Sequence, residues 1–486
     1  MMLLRPWALA LSTAAFLLAG CTVGPNYHRP DAATAPAWKE NAVPPPNPPN
    51  GTWKQAEPSD GVLRGAWWEM YADPQLNALE AKVAVSNQTL RVAMEQYFSA
   101  REQVRVARSQ YYPTFAAGPS VQRTRESYNQ ANTSRTVTDY QFNTIQLGGQ
   151  AQWEPDLWGQ VRRTVEQARA NAQASAAMLA NVELSLRSEL ASDYFEMRGL
   201  DSQQQLLDNT VKSYEEYLKL TQIRFKGGVA TESDVALAQT QLETTRAQDI
   251  DVQVARAQYE HAIATLTGTP ASTFSLPPMP LGDQVPQVPV GVPSQMLERR
   301  PDIAAAERQA DAANAQIGIA IAAYYPNVSL TGTGGFASGR PGTLIQGPSE
   351  MWSLGASAVE LLFDAGRRHA ITQQAHDAYE QQVANYRQTV LAAFQDVEDN
   401  LAALRILNQE SEQEQLAVEA AERSLNISTN RYKGGVTTYL EVLTAQTTLL
   451  SNQRTQADLA TRQFVANVQL IRALGGGWDT SQLPKL

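Results

Sequence analysis

Arg224-Phe-Lys-Gly-Gly-Val-Ala-Thr231 returns, 207 positions further on, as Arg431-Tyr-Lys-Gly-Gly-Val-Thr-Thr438. Between residues 224–243 and 431–450, eleven of twenty positions are identical, among them Val235/Val442, Ala238/Ala445, Gln239/Gln446 and Leu242/Leu449. The chain is built twice from one plan.

Each copy lies in a long stretch without proline: of 26 prolines, none falls between Pro155 and Pro270 or between Pro348 and Pro484. Proline removes a backbone donor and clashes with the preceding turn, so exclusion on this scale marks long helices. From Gln160 to Lys226 the residues are mainly Ala, Gln, Glu, Arg and Leu, with Gly199 the sole glycine, and every local preference favours helix. These 67 residues span roughly 100 Å at about 1.5 Å per residue. Gly227 and Gly228, followed by Val229, end the helix in a left-handed cap and reverse the chain. Thr231 or Ser233 caps the return helix, which runs to about Thr267. The second copy gives a helix from Gly366 to Lys433, a turn at Gly434-Gly435-Val436, and a return from Thr438 to Leu474. Helices this tall cannot bury their apolar sides in one small globule and must lie along each other.

The chain has 486 residues, a formal charge of -10 and a pI near 5.1, which argues against nucleic acid as a partner. Residues 1–20 read as a signal peptide, with Arg5, an apolar run from Ala8 to Leu18, and then Leu18-Ala19-Gly20-Cys21. The run is too short to span a bilayer as a helix. The small residues before Cys21, the sole cysteine, resemble a bacterial lipobox, which implies lipidation of Cys21. Thr22 rather than aspartate follows, and by the same resemblance this favours the outer membrane. Such an anchor holds the chain without spanning the lipid.

From Thr22 to about Asp60 the sequence is rich in Pro, Asn and Ala, with Pro44-Pro-Pro-Asn-Pro-Pro at its centre. It reads as an extended tether or strap without a core of its own. Trp67-Trp68 and Tyr71 precede Asp73, which caps a helix with Pro74 at its first position, expected to run to about Ser109. Its counterpart starts at Arg299-Arg300-Pro301-Asp302-Ile303, and both end alike, Tyr111-Tyr112-Pro113 matching Tyr324-Tyr325-Pro326 at a shift of 213. The shift falls to 207 by Gly159/Gly366, so the first copy carries six extra residues between, an insertion that belongs in a loop. The proposed division is therefore signal peptide 1–20, lipid-anchored segment 21–66, first repeat 67–270, connector 271–298 at mid-height, second repeat 299–474 and tail 475–486.

Between the YYP elements and the long helices the hydrophobic period changes to two. Phe115, Ala117, Pro119 and Val121 alternate with polar or small residues, as do Ile145, Leu147, Ala151 and Trp153 on the return. Val328, Leu330, Phe336 and then Trp352, Leu354, Ala356, Ala358 repeat the pattern, giving hairpins at 113–154 and 326–363. A half-buried hairpin on a soluble domain gives the same alternation. The polar positions here are Gln, Thr, Ser and Gly rather than Lys and Glu, and strands of about ten residues match a tilted crossing of a bilayer. Four strands cannot close a barrel, and open edges are not tolerated in lipid. By strand count a dimer or a trimer would close one, the smallest membrane barrels having about eight strands.

At this point the motifs resemble a known family, the outer-membrane efflux duct lipoproteins of the TolC-like family, in its OprM and NodT branch. They are Cys21-Thr-Val-Gly-Pro-Asn-Tyr-His-Arg-Pro, Trp67-Trp68 with Asp73-Pro74-Gln75-Leu76, Arg299-Arg300-Pro301-Asp302-Ile303, Ala323-Tyr324-Tyr325-Pro326, the two Lys-Gly-Gly-Val turns and Leu474-Gly-Gly-Gly-Trp478. The resemblance implies a mostly α fold with transmembrane β: a homotrimer whose four strands per chain form a twelve-stranded barrel above a long antiparallel helical barrel. It also implies docking to a periplasmic membrane-fusion adaptor and an inner-membrane, proton-driven pump of the RND type. Carried over by motif position, the periplasmic gate falls on Ser233, Asp234, Tyr432, Thr437 and Glu441. Thr437 stands where some relatives place an arginine and Thr444 where some place a second acid, so an arginine-to-aspartate lock does not carry over. Three copies each of Asp234 and Glu441 would form an acidic collar that favours cations.

No catalytic constellation stands out, and neither cofactor nor metal is expected. His369 and His376 lie seven apart, which does not match the i, i+4 spacing of zinc-binding helices. Gly475-Gly-Gly lacks the lysine and the preceding strand of a phosphate loop. The sequence reads as a passive conduit for small molecules such as drugs and toxic compounds, not an enzyme. A duct for type I secretion of proteins or peptides, and a pore-less coiled-coil scaffold in the periplasm, are the alternatives.

Overall fold

The computed structural model describes residues 22–40, 65–125, 141–282, 284–290, 293 and 296–485. Cys21, the proline-rich centre of the tether and the tip of the first hairpin lie outside them. The helices are α1 (Pro74–Ser86), α2 (Gln88–Ser109), α3 (Gln160–Lys226), α4 (Glu232–Leu266), α5 (Pro301–Ala322), α6 (Arg367–Lys433) and α7 (Tyr439–Ala473), with one further turn at Met296–Arg299. The strands are β1 (Thr114–Arg125), β2 (Gln141–Trp153), β3 (Asn327–Ser338) and β4 (Glu350–Val359).

The helix expected from Pro74 to Ser109 is two helices. Asn87 closes α1 and opens α2 with an extended backbone (φ -69°, ψ 123°). Its side-chain oxygen accepts from the Leu90 amide at 2.9 Å, and its amide donates to the Leu266 carbonyl at 2.8 Å. An Asn cap inside a continuous helical pattern thus becomes a joint because it also holds the end of α4.

The helices form a strip four rods wide. α3 is flanked on one side by α2 and α4 end to end and on the other by α5 and α7 end to end, with α6 beyond. The core is thickest at mid-height, where Trp67, Trp68, Leu190, Tyr194, Phe195, Met197, Phe464 and Val468 meet Leu276, Val285 and Val288 of the connector. There Arg198, almost wholly buried, donates to Asp201 and the Pro277 carbonyl, both at 2.8 Å, while Asp201 also accepts from Arg256 at 2.6 Å. A buried charge is tolerated only when paired and hydrogen-bonded in this way.

The duplication holds at the level of single contacts. Gly268 follows α4 with φ +67° and Gly475 follows α7 with φ +92°. A Cβ on Gly268 would lie 2.3 Å from the Ser86 carbonyl oxygen, and one on Gly475 would lie 2.1 Å from that of Arg299. Each glycine lets a helix end turn back against its upper neighbour. The glycine run before Trp478 is therefore a packing device.

The sheet is antiparallel in the order β1-β2-β3-β4. Directly opposed residues share a face, and the register opposes Val121 to Ile145, Leu147 to Phe336, Trp153 to Leu330 and Leu330 to Ala356. The four apolar stripes therefore form one continuous face. Serine, threonine, glutamine and glycine make up most of the other, where Thr333 and Ser353 pair at 2.7 Å and Ser329 and Ser357 at 2.9 Å. Phe115, Trp352 and Leu354 stand 79%, 75% and 80% exposed in the single chain. No helix among the described residues is long and apolar enough to cross a membrane.

The N-terminal strap runs from the sheet to mid-height. The Val23 amide donates to the Trp158 carbonyl at 3.1 Å, Arg163 donates to the Val23 and Gly24 carbonyls, and Tyr27 bonds Glu307. Arg29 bonds Tyr386, the Lys39 and Glu40 amides donate to Glu398, and Trp38 is buried beside Phe394. The strap's described residues join the cluster that Tyr386, Val390 and Val397 of α6 form with Ile303 and Leu470.

Candidate functional site: the helical tips

The end of the strip away from the sheet is built by the two repeated turns. At the end of α3, Gly228 takes φ 74° while Gly227 stays right-handed at -80°. The Val229 amide reaches the Arg224 carbonyl and the Gly228 amide that of Phe225, both at 2.9 Å, a Schellman cap. Gly435 (φ 75°), Val436 and Arg431 repeat it. Val229 and Val436 are left exposed on the tips, 67% and 70%.

The return helices start differently. Thr231 caps α4, and with Asp234 it forms a capping box: the Asp234 amide donates to Thr231 Oγ1 at 3.2 Å, and the Thr231 amide donates to the Asp234 carboxylate at 2.9 Å. Ser233, the other capping candidate, stays exposed. Glu441 holds the equivalent place in α7, yet Thr438 makes no side-chain cap. The longer Glu441 carboxylate crosses the turn to Arg431 at 3.3 Å.

Behind the turns Tyr432 is buried, edge-to-face with Tyr439 at 5.6 Å, with Ala238 and Val442 beside them. Arg224 joins the two tips: its guanidinium sits 4.5 Å from the Tyr432 ring centre, and Nη1 donates to the Lys433 carbonyl at 3.1 Å. Tyr217 and Thr429 share a 3.1 Å hydrogen bond across the same interface. Burial pushes the Tyr439 phenol well above its ordinary value, and the neighbouring Tyr214 and Tyr432 add to the shift. Burial likewise raises Tyr214, to about 12. A groove of about 370 Å³ between α6 and α7 is lined by Ser424, Ser428, Leu440, Glu441, Thr444 and Thr448.

The five residues expected at a gate thus lie at one end of the molecule. Asp234, Tyr432 and Glu441 are engaged within the chain, Ser233 is exposed and Thr437 half-buried. Sequence reading missed Arg224, Arg431 and Tyr439. The arginines open both copies of the repeated motif, which was the available signal, but their partners Tyr432 and Glu441 become visible only when the helices close on each other. Among the described residues no group of histidines, cysteines and acids is placed to hold a metal.

The family model for outer membrane efflux proteins matches residues 79–269 and 292–476, one run in each repeat. A probable efflux pump outer membrane protein of Pseudomonas putida, TtgC, is 32% identical over 472 residues, covering 97% of this chain and 95% of that protein. A probable outer membrane lipoprotein of Salmonella typhimurium, SilC, is 30% identical over 97% of this chain and 98% of its own length. The solved outer-membrane channel OprN superposes with a TM-score of 0.85 at 29% identity, covering 94% of this chain and all of that one. The chain belongs to the outer membrane efflux protein family.

Proposed function

We propose that the protein is the outer-membrane channel of a tripartite efflux pump, a homotrimer that passively conducts small molecules from the periplasmic end to the exterior. The observation that carries this reading is the sheet: four strands share one apolar face, have open edges, and stand on rods roughly 100 Å tall. Such edges are stable in lipid only when paired, and three copies supply twelve strands. The relatives named as efflux pump outer membrane proteins support small molecules as the cargo.

Cys21 carries the lipid in this reading. The strap supports it, since the Val23 amide is bonded at Trp158 beside the sheet and the chain therefore emerges at the membrane end. The exposed Val229 and Val436 at the opposite end offer an apolar surface to a periplasmic adaptor. An inner-membrane, proton-driven pump supplies the energy, and the tips carry the gate at Ser233, Asp234, Tyr432, Thr437 and Glu441. Purified protein added to a planar bilayer should give discrete conductance steps. A protein that inserts and never conducts would leave a scaffold as the better reading.

A further inference from the structure

Just below the sheet a cavity of about 520 Å³ opens on α3, lined by Tyr111, Arg162, Glu166, Arg169, Asp311 and Lys485. From the cap residue Gly159, Arg162, Glu166, Arg169 and Gln173 follow at spacings of three and four and so share one face of the helix. Thr22 of the strap lies against Gly159, and Gln173 donates to the Pro484 carbonyl of the tail at 3.3 Å. The strap leads to the lipid proposed at Cys21, so this face is the outside of the tube.

The charges on the wall do not cancel within it. Arg162 is held by Asp156 at 3.1 Å, Glu166 by Arg163 at 2.7 Å, and Asp311 lies 3.7 Å from Arg308. The acids of the lining are thus answered by arginines outside it. Arg169 and Lys485, both exposed, have no ion-pair partner among the described residues. Two cations are left over on the lining, and Tyr111 brings a hydroxyl beside them.

The cavity also sits at a particular height. The indole of Trp153, the last residue of β2, donates to the Tyr111 carbonyl at 3.0 Å and ties the upper rim to the end of the sheet. Trp158 and Tyr325 stack at 5.0 Å nearby, and such aromatic residues mark the boundary between hydrocarbon and water. Arg162 and Arg169, two and nine residues beyond Gln160, lie about 3 and 14 Å further down. Side chains on a helix lean toward its N-terminus, which for α3 is toward the sheet, and long basic ones extend along apolar surface to place their charge at a headgroup.

We propose that this cavity binds the phosphate of an anionic phospholipid in the periplasmic leaflet of the outer membrane, with Arg169 and Lys485 as its cations and Tyr111 as a hydroxyl donor. The assignment goes beyond conduction and rests on the sheet lying in lipid as proposed above. An arginine meets a phosphate through two parallel N–H bonds, and basic pockets at a membrane boundary collect acidic headgroups. A free phosphate offers the same chemistry, but only a lipid is held at this height beside the aromatic residues.

Arg169→Gln with Lys485→Gln removes both cations from exposed positions, and Lys212→Gln with Lys219→Gln removes the same charge far down α3. Each full-length protein is floated with phosphatidylcholine vesicles, then released in mild detergent with phosphatidylglycerol or phosphatidylcholine, and the bound lipid is counted by native mass spectrometry. The wild type should retain phosphatidylglycerol in preference, the first pair should hold at least about fivefold less of it, and the second should match the wild type. If the first pair does not fold, Lys485→Gln alone should still lose about twofold or more. Equal retention of the two lipids by the wild type, unchanged retention without the two cations, or equal loss in both pairs would overturn the site. Inorganic phosphate that raises the melting temperature as far as phosphatidylglycerol does would overturn the lipid as its occupant. A wild type that does not float with vesicles would instead overturn the membrane-embedded sheet itself.

Discussion

Asp234 and Glu441 hold the same position in the two repeats and do different work. Asp234 completes a capping box; Glu441 makes no such box with Thr438 and pairs instead with Arg431. Asp234→Ala should lose about 1 kcal/mol of helix stabilisation and, if Asp234 faces the mouth as proposed, raise single-channel conductance. Asp234→Asn keeps a capping acceptor without the charge, so unchanged conductance in both variants would remove Asp234 from the gate. Glu80 makes a different prediction. It is wholly buried, neither carboxyl oxygen has a hydrogen-bond partner among the described residues, and burial pushes its pKa up to about 9, with Arg187 offsetting part of the shift. The folded state therefore holds a proton that the unfolded chain releases near 4.5. Its contribution is fully present below pH 4.5 and is lost as pH rises through about 9, with a slope of at most about 1.4 kcal/mol per pH unit. Thermal melts of the wild type and Glu80→Gln at pH 5, 7 and 9 should diverge with rising pH, the variant holding steadier. Parallel curves would show that Glu80 ionises without penalty. The burial of Glu80 was not legible beforehand: a glutamate in a helical pattern gives no sign that Glu183 and Arg187 of α3 will come to lie near it in a closed core.

At the scale of elements, the rods were readable and the joints were not. The proline-free stretches gave α3 as Gln160–Lys226, the limits observed, because composition and end signals act locally along a helix. The break at Asn87 escaped because its cause is the Leu266 carbonyl on another helix. Gly199, the one glycine within α3, has a similar explanation: a Cβ there would lie 2.0 Å from Thr461 Oγ1 on α7. Gly199→Ala should force the rods apart and cost about 1–3 kcal/mol, with Thr461→Ala recovering part of the loss in a denaturation double-mutant cycle. In the turns only the second glycine has positive φ. Gly228→Ala should therefore destabilise by about 1 kcal/mol or more, and Gly227→Ala should have little effect; equal effects in chemical denaturation would contradict the cap geometry.

For the whole molecule, the lipid anchor and the trimer proposed above are separable by experiment. Cys21→Ser should leave trimers that fold yet fractionate away from the outer membrane or extract from it more easily; undiminished labelling by a fatty-acid probe would place the lipid elsewhere. The duplication, the rods, the four alternating strands and the family were determined by the sequence alone, because periodicity, proline exclusion and repeated motifs are local properties of a chain. Only the tertiary structure decided the phase of the strands that joins four stripes into one face, the course of the strap, and which tip residues turn inward to pair. Those depend on which distant groups meet, and a linear pattern carries no record of that until the helices have closed side by side.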